Sequence, residues 1–396
     1  MQEGLYYFWG VLPEMDHLLY EKLKMIQQYY FSAQENISFT KGLNECLDIL
    51  KSYYNNHNVL GVIFFIDSCS DMEYFEIKNE IQKSLDHKEF MMPFNVQAQS
   101  CNSIVSLEIW IDDYAEKTEY LTIDDTRYTR STSPLGKSIW GIGISSKKQH
   151  LQLVDQIEFA FETVHQILKN EGLDFADIVR QWNYVPNIIN IQTIDGKSLQ
   201  NYQVFNEIRQ KYYSTNVFID GFPAATGIGT RNGNFGLDFF AIKSNSSIHK
   251  VGLSNPKQQD AYEYHQKFLV GDASKGQTKK TPLFERAKIL DTKEGITAFI
   301  SGTASIIGEE TIGIGDIECQ TEITINNIHE LISKMDNYQK KQFTYLRAYI
   351  KNEHHFEIVK SICEANFPNV SISYLQADIC RENLLVEIEG AALIRL

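Results

Sequence analysis

The stretch that decides the fold lies between residues 138 and 186: SIWGIGIS (138–145), VDQIEFAFETVHQILKN (154–170) and IVRQWNYVP (178–186). The first piece reads as an apolar strand interrupted by glycines. In the second, Ile157, Phe161, Val164 and Leu168 recur at helical spacing and share one face. Gly172 ends that helix, and the third piece is a strand that closes at Pro186, which cannot donate to a ladder. The same strand, helix, strand order returns at Thr297 to Ser301, Glu318 to Lys334 and Phe343 to Ile350. This recurrence predicts an α+β protein of two packed halves, each a mixed sheet with helices on one face. The expected domains are 1–200 and 201–396.

Working outward, Leu60 to Asp67 and Ile104 to Ile111 read as strands around a helix at Met72 to Leu85, and Gln203 to Tyr213 reads as another helix. Towards the C-terminus come a helix at Phe356 to Ala365, a short strand at Val370 to Tyr374 and a last strand at Leu384 to Ile394. Between Lys243 and Thr281 the chain is polar and aperiodic, long enough to be a functional loop covering a site.

Composition excludes several classes of function. A chain of 396 residues that is 43% hydrophobic and 22% charged is globular. Its net charge of −14 argues against nucleic acid or an anionic membrane as partner, since both reward a basic surface. A small anionic substrate remains open, held by a local cluster of Arg and Tyr. The opening residues Met1 to Gly10 lack the basic segment and apolar run of a secretory signal, and a cytoplasmic protein is expected. Cys46, Cys69, Cys101, Cys319, Cys363 and Cys380 form no CxxC pair, which argues against zinc ribbons and disulfide frameworks. His354 and His355 are adjacent, a spacing poorly suited to one ion, and HExxH is absent. GxGxxG, GKS/GKT and GxSxG patterns are absent too, so neither metal nor cofactor is expected.

Three segments can carry chemistry. Gly221 to Gly229 (GFPAATGIG) places small residues where backbone turns or approaches a ligand, and a plain turn between strands explains it equally. Ile300 to Gly308 (ISGTASIIG) ends a strand in small hydroxylated residues, and Gly302 could leave floor space for a ring; Asp316, further on, reads as either a helix cap or a functional group. In Leu384 to Glu389 (LLVEIE) the period of two sets Glu387 and Glu389 on one face of an apolar strand. If that face is buried, at least one carboxyl is protonated or paired, and a raised pKa suits a general acid. A solvated edge strand is the alternative.

Taken together with Arg180 to Pro186 (RQWNYVP), Asn201 to Asn206 (NYQVFN), Asn255-Pro256, Pro282 to Ala287 (PLFERA), the run from Gly315-Asp316 through Gln320 to Asn327 and the closing VEIEGA at 386–391, these segments resemble the chorismatases. The likeness covers roughly Asp125 to the C-terminus. It implies a C-terminal half similar to the trimeric reactive-intermediate deaminases, and removal of pyruvate from the enol-ether side chain of chorismate. Glu387 stands where the family has its catalytic acid. Cys380 stands where members that release 3-hydroxybenzoate have a cysteine; a thiol there would crowd out hydrolytic water so that the substrate's own ring hydroxyl reacts. An isolated apolar cysteine is also compatible with inert core.

The resemblance implies a dianionic substrate, and Arg and Tyr suit its carboxylates. The candidates are Arg130 with Tyr128, Tyr202, Arg286 and Arg347, each alternatively a structural residue. Product alternatives are 4-hydroxybenzoate or a dihydroxycyclohexadiene carboxylate. An enamine or imine deaminase, normally a much shorter chain, and a non-catalytic metabolite-binding protein are the other readings. Two similar halves in one chain lead us to expect a monomer.

Overall fold

The computed structural model describes residues 26–34, 37–148, 151–194, 196–272, 278–293, 295–335 and 340–395. The opening segment read above for a secretory signal, and residues 273–277 of the polar stretch, lie outside them.

The described chain forms three successive sheets. The first holds β1 (Gln27–Ser32), α1 (Phe39–Asn56), β2 (Val59–Ile66), α2 (Asp71–His87), β3 (Phe94–Gln97) and β4 (Val105–Ile111), with strand order β1-β4-β2-β3. The second holds β5 (Lys117–Ile123), β6 (Thr126–Ser133), β7 (Gly136–Ile144), α3 (Leu153–Asn170) and β8 (Ile178–Pro186). A small hairpin of β9 (Ile191–Ile194) and β10 (Lys197–Gln200) follows, then α4 (Asn201–Tyr213), β11 (Ala224–Thr230) and β12 (Gly236–Ile242). Its order is β11-β8-β12-β7-β6-β5. The third sheet contains β13 (Ile248–Leu253), β14 (Ala287–Thr292) and β15 (Gly295–Ala304), with β16 (Ile306–Ile307) and β17 (Glu310–Thr311) pairing separately beside it. α5 (Ile317–Ser333), β18 (Lys340–Ile350), α6 (Phe356–Asn366), β19 (Ser371–Gln376) and β20 (Val386–Arg395) complete it, in the order β13-β14-β15-β20-β18-β19.

The second and third sheets share one topology. A three-strand meander leads through a helix to a fourth strand, through a second helix to a parallel edge strand, and the last strand inserts between the third and fourth. The duplication expected from the sequence is present. The first sheet repeats the same scheme from the third strand onward: β4 inserts antiparallel between β1 and β2, and β3 pairs parallel with β2. The chain is therefore built from three copies of one unit rather than two. The change from second to third sheet falls between Ile242 and Ile248, whereas the sequence suggested residue 200; the parallel pairing of β11 with β8 joins residues more than forty positions apart, a contact no local pattern displays.

Each sheet buries one face under its own helices, where Ile157, Phe161, Val164 and Leu168 of α3 pack on the second sheet as their spacing predicts. The opposite faces of all three sheets meet in one central core containing Phe65, Trp110, Trp140, Trp182, Tyr184, Phe240, Phe299, Tyr345 and Tyr349. β2 (VLGVIFFI), covered on both faces, is apolar throughout and wholly buried. Edge meets neighbouring sheet in cyclic fashion: Gly302 N on β15 donates to Thr226 Oγ1 on β11 (3.1 Å), Asn95 on β3 donates to Asp238 on β12 (3.0 Å), and Gln28 on β1 donates to Ser373 on β19 (3.2 Å). Among the described residues no helix is long and apolar enough to cross a membrane.

Candidate active site

β20 places its side chains by strict alternation. Val386, Ile388, Ala392 and Ile394 pack beneath α5 and α6, which turns Glu387, Glu389 and Ala391 toward the protein's centre. Glu387 opens into a cavity between the second and third sheets that is continuous with solvent. Its walls come from β11 and the start of α4 on one side and from β15 and β20 on the other. Tyr264, Phe268 and Phe284 of the segment before β14 line it as well. The polar stretch thus does cover a site, although its first part forms the edge strand β13.

Glu387 is only 5% exposed. Burial, reinforced by the charge of Glu389, pushes its carboxyl up to about 8, against the opposing pull of Arg180 and Arg286. It therefore holds its proton at neutral pH. A methyl group on Gly302 would overlap Glu387 Oε1, so the room left by this glycine is filled by the acid itself rather than kept for a ring. Gly227 similarly makes way for the Tyr202 ring, 2.8 Å from where its β-carbon would stand.

Cys380 lines the same cavity, and burial, with Glu387 beside it, raises its thiol to about 12. It is a neutral group that occupies space, since a nucleophile would have to be a thiolate. Arg286, nearly fully buried, donates to the Gln259 carbonyl and to Tyr264 Oη (2.8 Å), and its Nε has no partner. That orphaned donor and the Arg381 guanidinium, 5.3 Å from the centre of the Tyr264 ring, supply positive charge to the cavity.

Of the residues expected to form a site, Glu387, Cys380, Arg286, Tyr202 and Gly302 line this cavity. Three do not. Arg130 binds the Glu171 carboxylate with two nitrogens (3.0 and 2.8 Å), and Tyr128 donates to the same carboxylate (2.7 Å); both tie β6 to the end of α3. Arg347 is wholly buried in the central core, paired with Glu108 and with Glu389 (3.1 Å). Their charges are already spent on internal carboxylates. Asp316 proves to be the cap of α5, accepting from Cys319 N (3.0 Å). Arg381, Tyr264, Gln203 and Asn206 line the cavity without having been named as site residues; the adjacency of Arg381 to Cys380 and the place of Gln203 and Asn206 in the NYQVFN segment were the available hints.

The threefold construction shows how singular this acid is. Glu387 pairs across the ladder with Tyr349, and the matching partners in the other two copies are Gly236 opposite Tyr184 and Ser106 opposite Phe65. Where the first sheet meets the second, Gln97 Nε2 fills the space beside Gly236, 3.0 Å from where a β-carbon would stand. One equivalent position in three carries a carboxyl.

A buried carboxyl facing guanidinium groups across a cavity suits a small anion rather than a nucleic-acid backbone. Comparison with known proteins makes the assignment specific. Residues 114–241, which span nearly the whole second sheet, match the family described as chorismatase FkbO/Hyg5-like, N-terminal. A 3-hydroxybenzoate synthase from Streptomyces hygroscopicus is 27% identical over 371 residues, covering 88% of this chain and 98% of the relative. A chorismatase from Streptomyces hygroscopicus is 29% identical over 241 residues, 58% of this chain and 65% of the relative. The crystal structure of a chorismatase superposes with a TM-score of 0.66 at 21% identity, over 92% of this chain and 98% of that one. The chain is thus similar to chorismatases in sequence and in fold over most of its length.

Proposed function

We propose that this protein converts chorismate to 3-hydroxybenzoate and pyruvate, with Glu387 as the acid. The observation that carries the reading is a buried carboxyl, its pKa raised by burial, facing a cavity that also holds Arg286 and Arg381. Glu387 delivers its proton to the methylene carbon of the enol ether, and the resulting oxocarbenium ion weakens the bond between ring and ether oxygen. That bond breaks with its electron pair going to oxygen, which leaves as the ketone oxygen of pyruvate. The neighbouring ring hydroxyl oxygen bonds to the vacated carbon, its bond to its original ring carbon then breaks with the electron pair staying on oxygen, and loss of a ring proton aromatises the ring. The hydroxyl proton and one ring proton are released; one forms the phenol and the other restores Glu387. No water is consumed, so a site that excludes it favours this course, and Cys380 supplies bulk beside the acid.

Arg286 and Arg381 serve the two substrate carboxylates, and Tyr202 provides a flat wall. We read the protein as a cytoplasmic monomer, since three units already close around one core within a single chain; sedimentation equilibrium at one chain mass is the expected result, and a trimer mass would reject it. Function is tested by incubating the purified protein with chorismate and following pyruvate with lactate dehydrogenase while the aromatic product is identified by mass and ring-proton NMR. Glu387→Gln should lower turnover by at least about a hundredfold. Binding of chorismate without pyruvate release would make the protein a metabolite binder instead.

A further inference from the structure

Two residues beyond Glu387, on the same face of β20, lies Glu389, completely buried. Its Oε1 accepts from Trp182 Nε1 (2.8 Å), Arg347 (3.1 Å) and Tyr349 Oη (3.2 Å), and its Oε2 accepts from Arg180 and Thr226. The proton count at Thr226 is determined: its oxygen receives Arg180 (2.6 Å) and Gly302 N (3.1 Å), so its single hydroxyl proton goes to Glu389. Five donors from β8, β11 and β18 converge on one carboxylate, an arrangement that stabilises only its charged form. Thr226 also joins this network to the Gly302 backbone, against which the Glu387 carboxyl rests.

We propose that Glu389 is a positioning residue for the reaction: a carboxylate ringed by five donors that keeps Glu387 loaded with its proton and, through Thr226 and Gly302, fixes where that carboxyl sits. The proposal rests on Glu387 being the acid and extends it to the residue that maintains the acid's state. The charged and titratable groups facing Glu387 are Arg180 on β8, Tyr202 on α4, Tyr349 on β18, Arg286 before β14, Tyr264, and Cys380 and Arg381 before β20. To these Glu389 adds the one carboxylate acting on Glu387. Side chains two apart on a strand are separated by about 6.6 Å. At an effective dielectric constant of about 20, a charge at that distance moves a neighbouring titration by roughly one to two pH units.

The test follows the Glu387 titration without substrate, through the protonated-carboxyl band in infrared difference spectra, assigned by its loss in Glu387→Gln. In Glu389→Gln the midpoint should fall by at least one pH unit, and the alkaline limb of the pH–rate profile should fall with it, while turnover at the acid plateau suffers less. In Arg180→Gln, where a cation is removed and Arg347 still pairs with Glu389, the midpoint should rise. A purely structural role would lower turnover in both variants and move neither midpoint, and that result would overturn the proposal. Should Glu389→Gln fail to fold, Arg180→Gln decides alone, an unmoved or lowered midpoint refuting it. Retained turnover in Glu387→Gln would sink the acid assignment while leaving the spectroscopic coupling intact, so the two failures are distinguishable.

Discussion

Replacing Glu387 by Gln should stabilise the protein while it abolishes turnover, and the stabilisation should depend on pH in a defined way. The folded carboxyl titrates at about 8 and the unfolded one at 4.5. Between those values the unfolded chain has released a proton that the folded chain still holds, so the native state binds more protons and stability falls as pH rises from 4.5 to 8. Below 4.5 both states are protonated and there is no penalty. Above 8 both are ionised and the penalty is at its maximum. At about 1.4 kcal/mol per pH unit, the interval from 4.5 to 7 amounts to about 3 kcal/mol against the native state, rising to about 5 kcal/mol above pH 8. Glutamine occupies the same space, is neutral at every pH and carries none of this cost. Urea unfolding of both proteins across pH 4 to 9 should therefore give equal stabilities at the acid end and a widening advantage for the variant toward pH 8. A difference that is constant with pH would refute the claim that this carboxyl is held protonated by burial.

Gly302→Ala should fold, because the new methyl group meets the end of a side chain rather than backbone, yet it must push the Glu387 carboxyl aside; turnover should fall by roughly a hundredfold, and a variant with native kinetics would contradict the described fit. Cys380→Ala should shift product from 3-hydroxybenzoate toward the dihydroxycyclohexadiene acid as water gains access, measured by the ratio of the two in NMR spectra. An unchanged ratio removes Cys380 from control of the outcome.

Side-chain alternation within a strand is a local property, and so the sharing of one face by Glu387 and Glu389 was legible from LLVEIE alone, whereas the burial of that face was not. What the sequence could not display was their division of labour: one faces a cavity, the other is matched by Arg180, 209 positions away, and by Arg347. The same blindness explains Arg130, whose partner Glu171 lies 41 positions further on, and Arg347, whose partner Glu108 lies 239 positions earlier. An arginine that will meet a substrate and one already matched by an internal carboxylate look alike in a linear string. Strands covered by helices announced themselves as apolar runs, whereas β5 (KTEYLTI) and β6 (TRYTRSTS) are half polar and did not. The third copy of the unit escaped notice because, among the described residues, it lacks the opening two strands that would complete the pattern.

Covalent continuity changes what such a ring of similar units can become. In an assembly of identical subunits every junction is the same, and a substitution that improves one is imposed on all. Here each junction is encoded once, so a proton donor could be kept at one seam while Gly236 and Ser106 stand at the matching positions of the other two. On the proposed reading, that asymmetry leaves one described seam to hold the acid and the other two to serve cohesion.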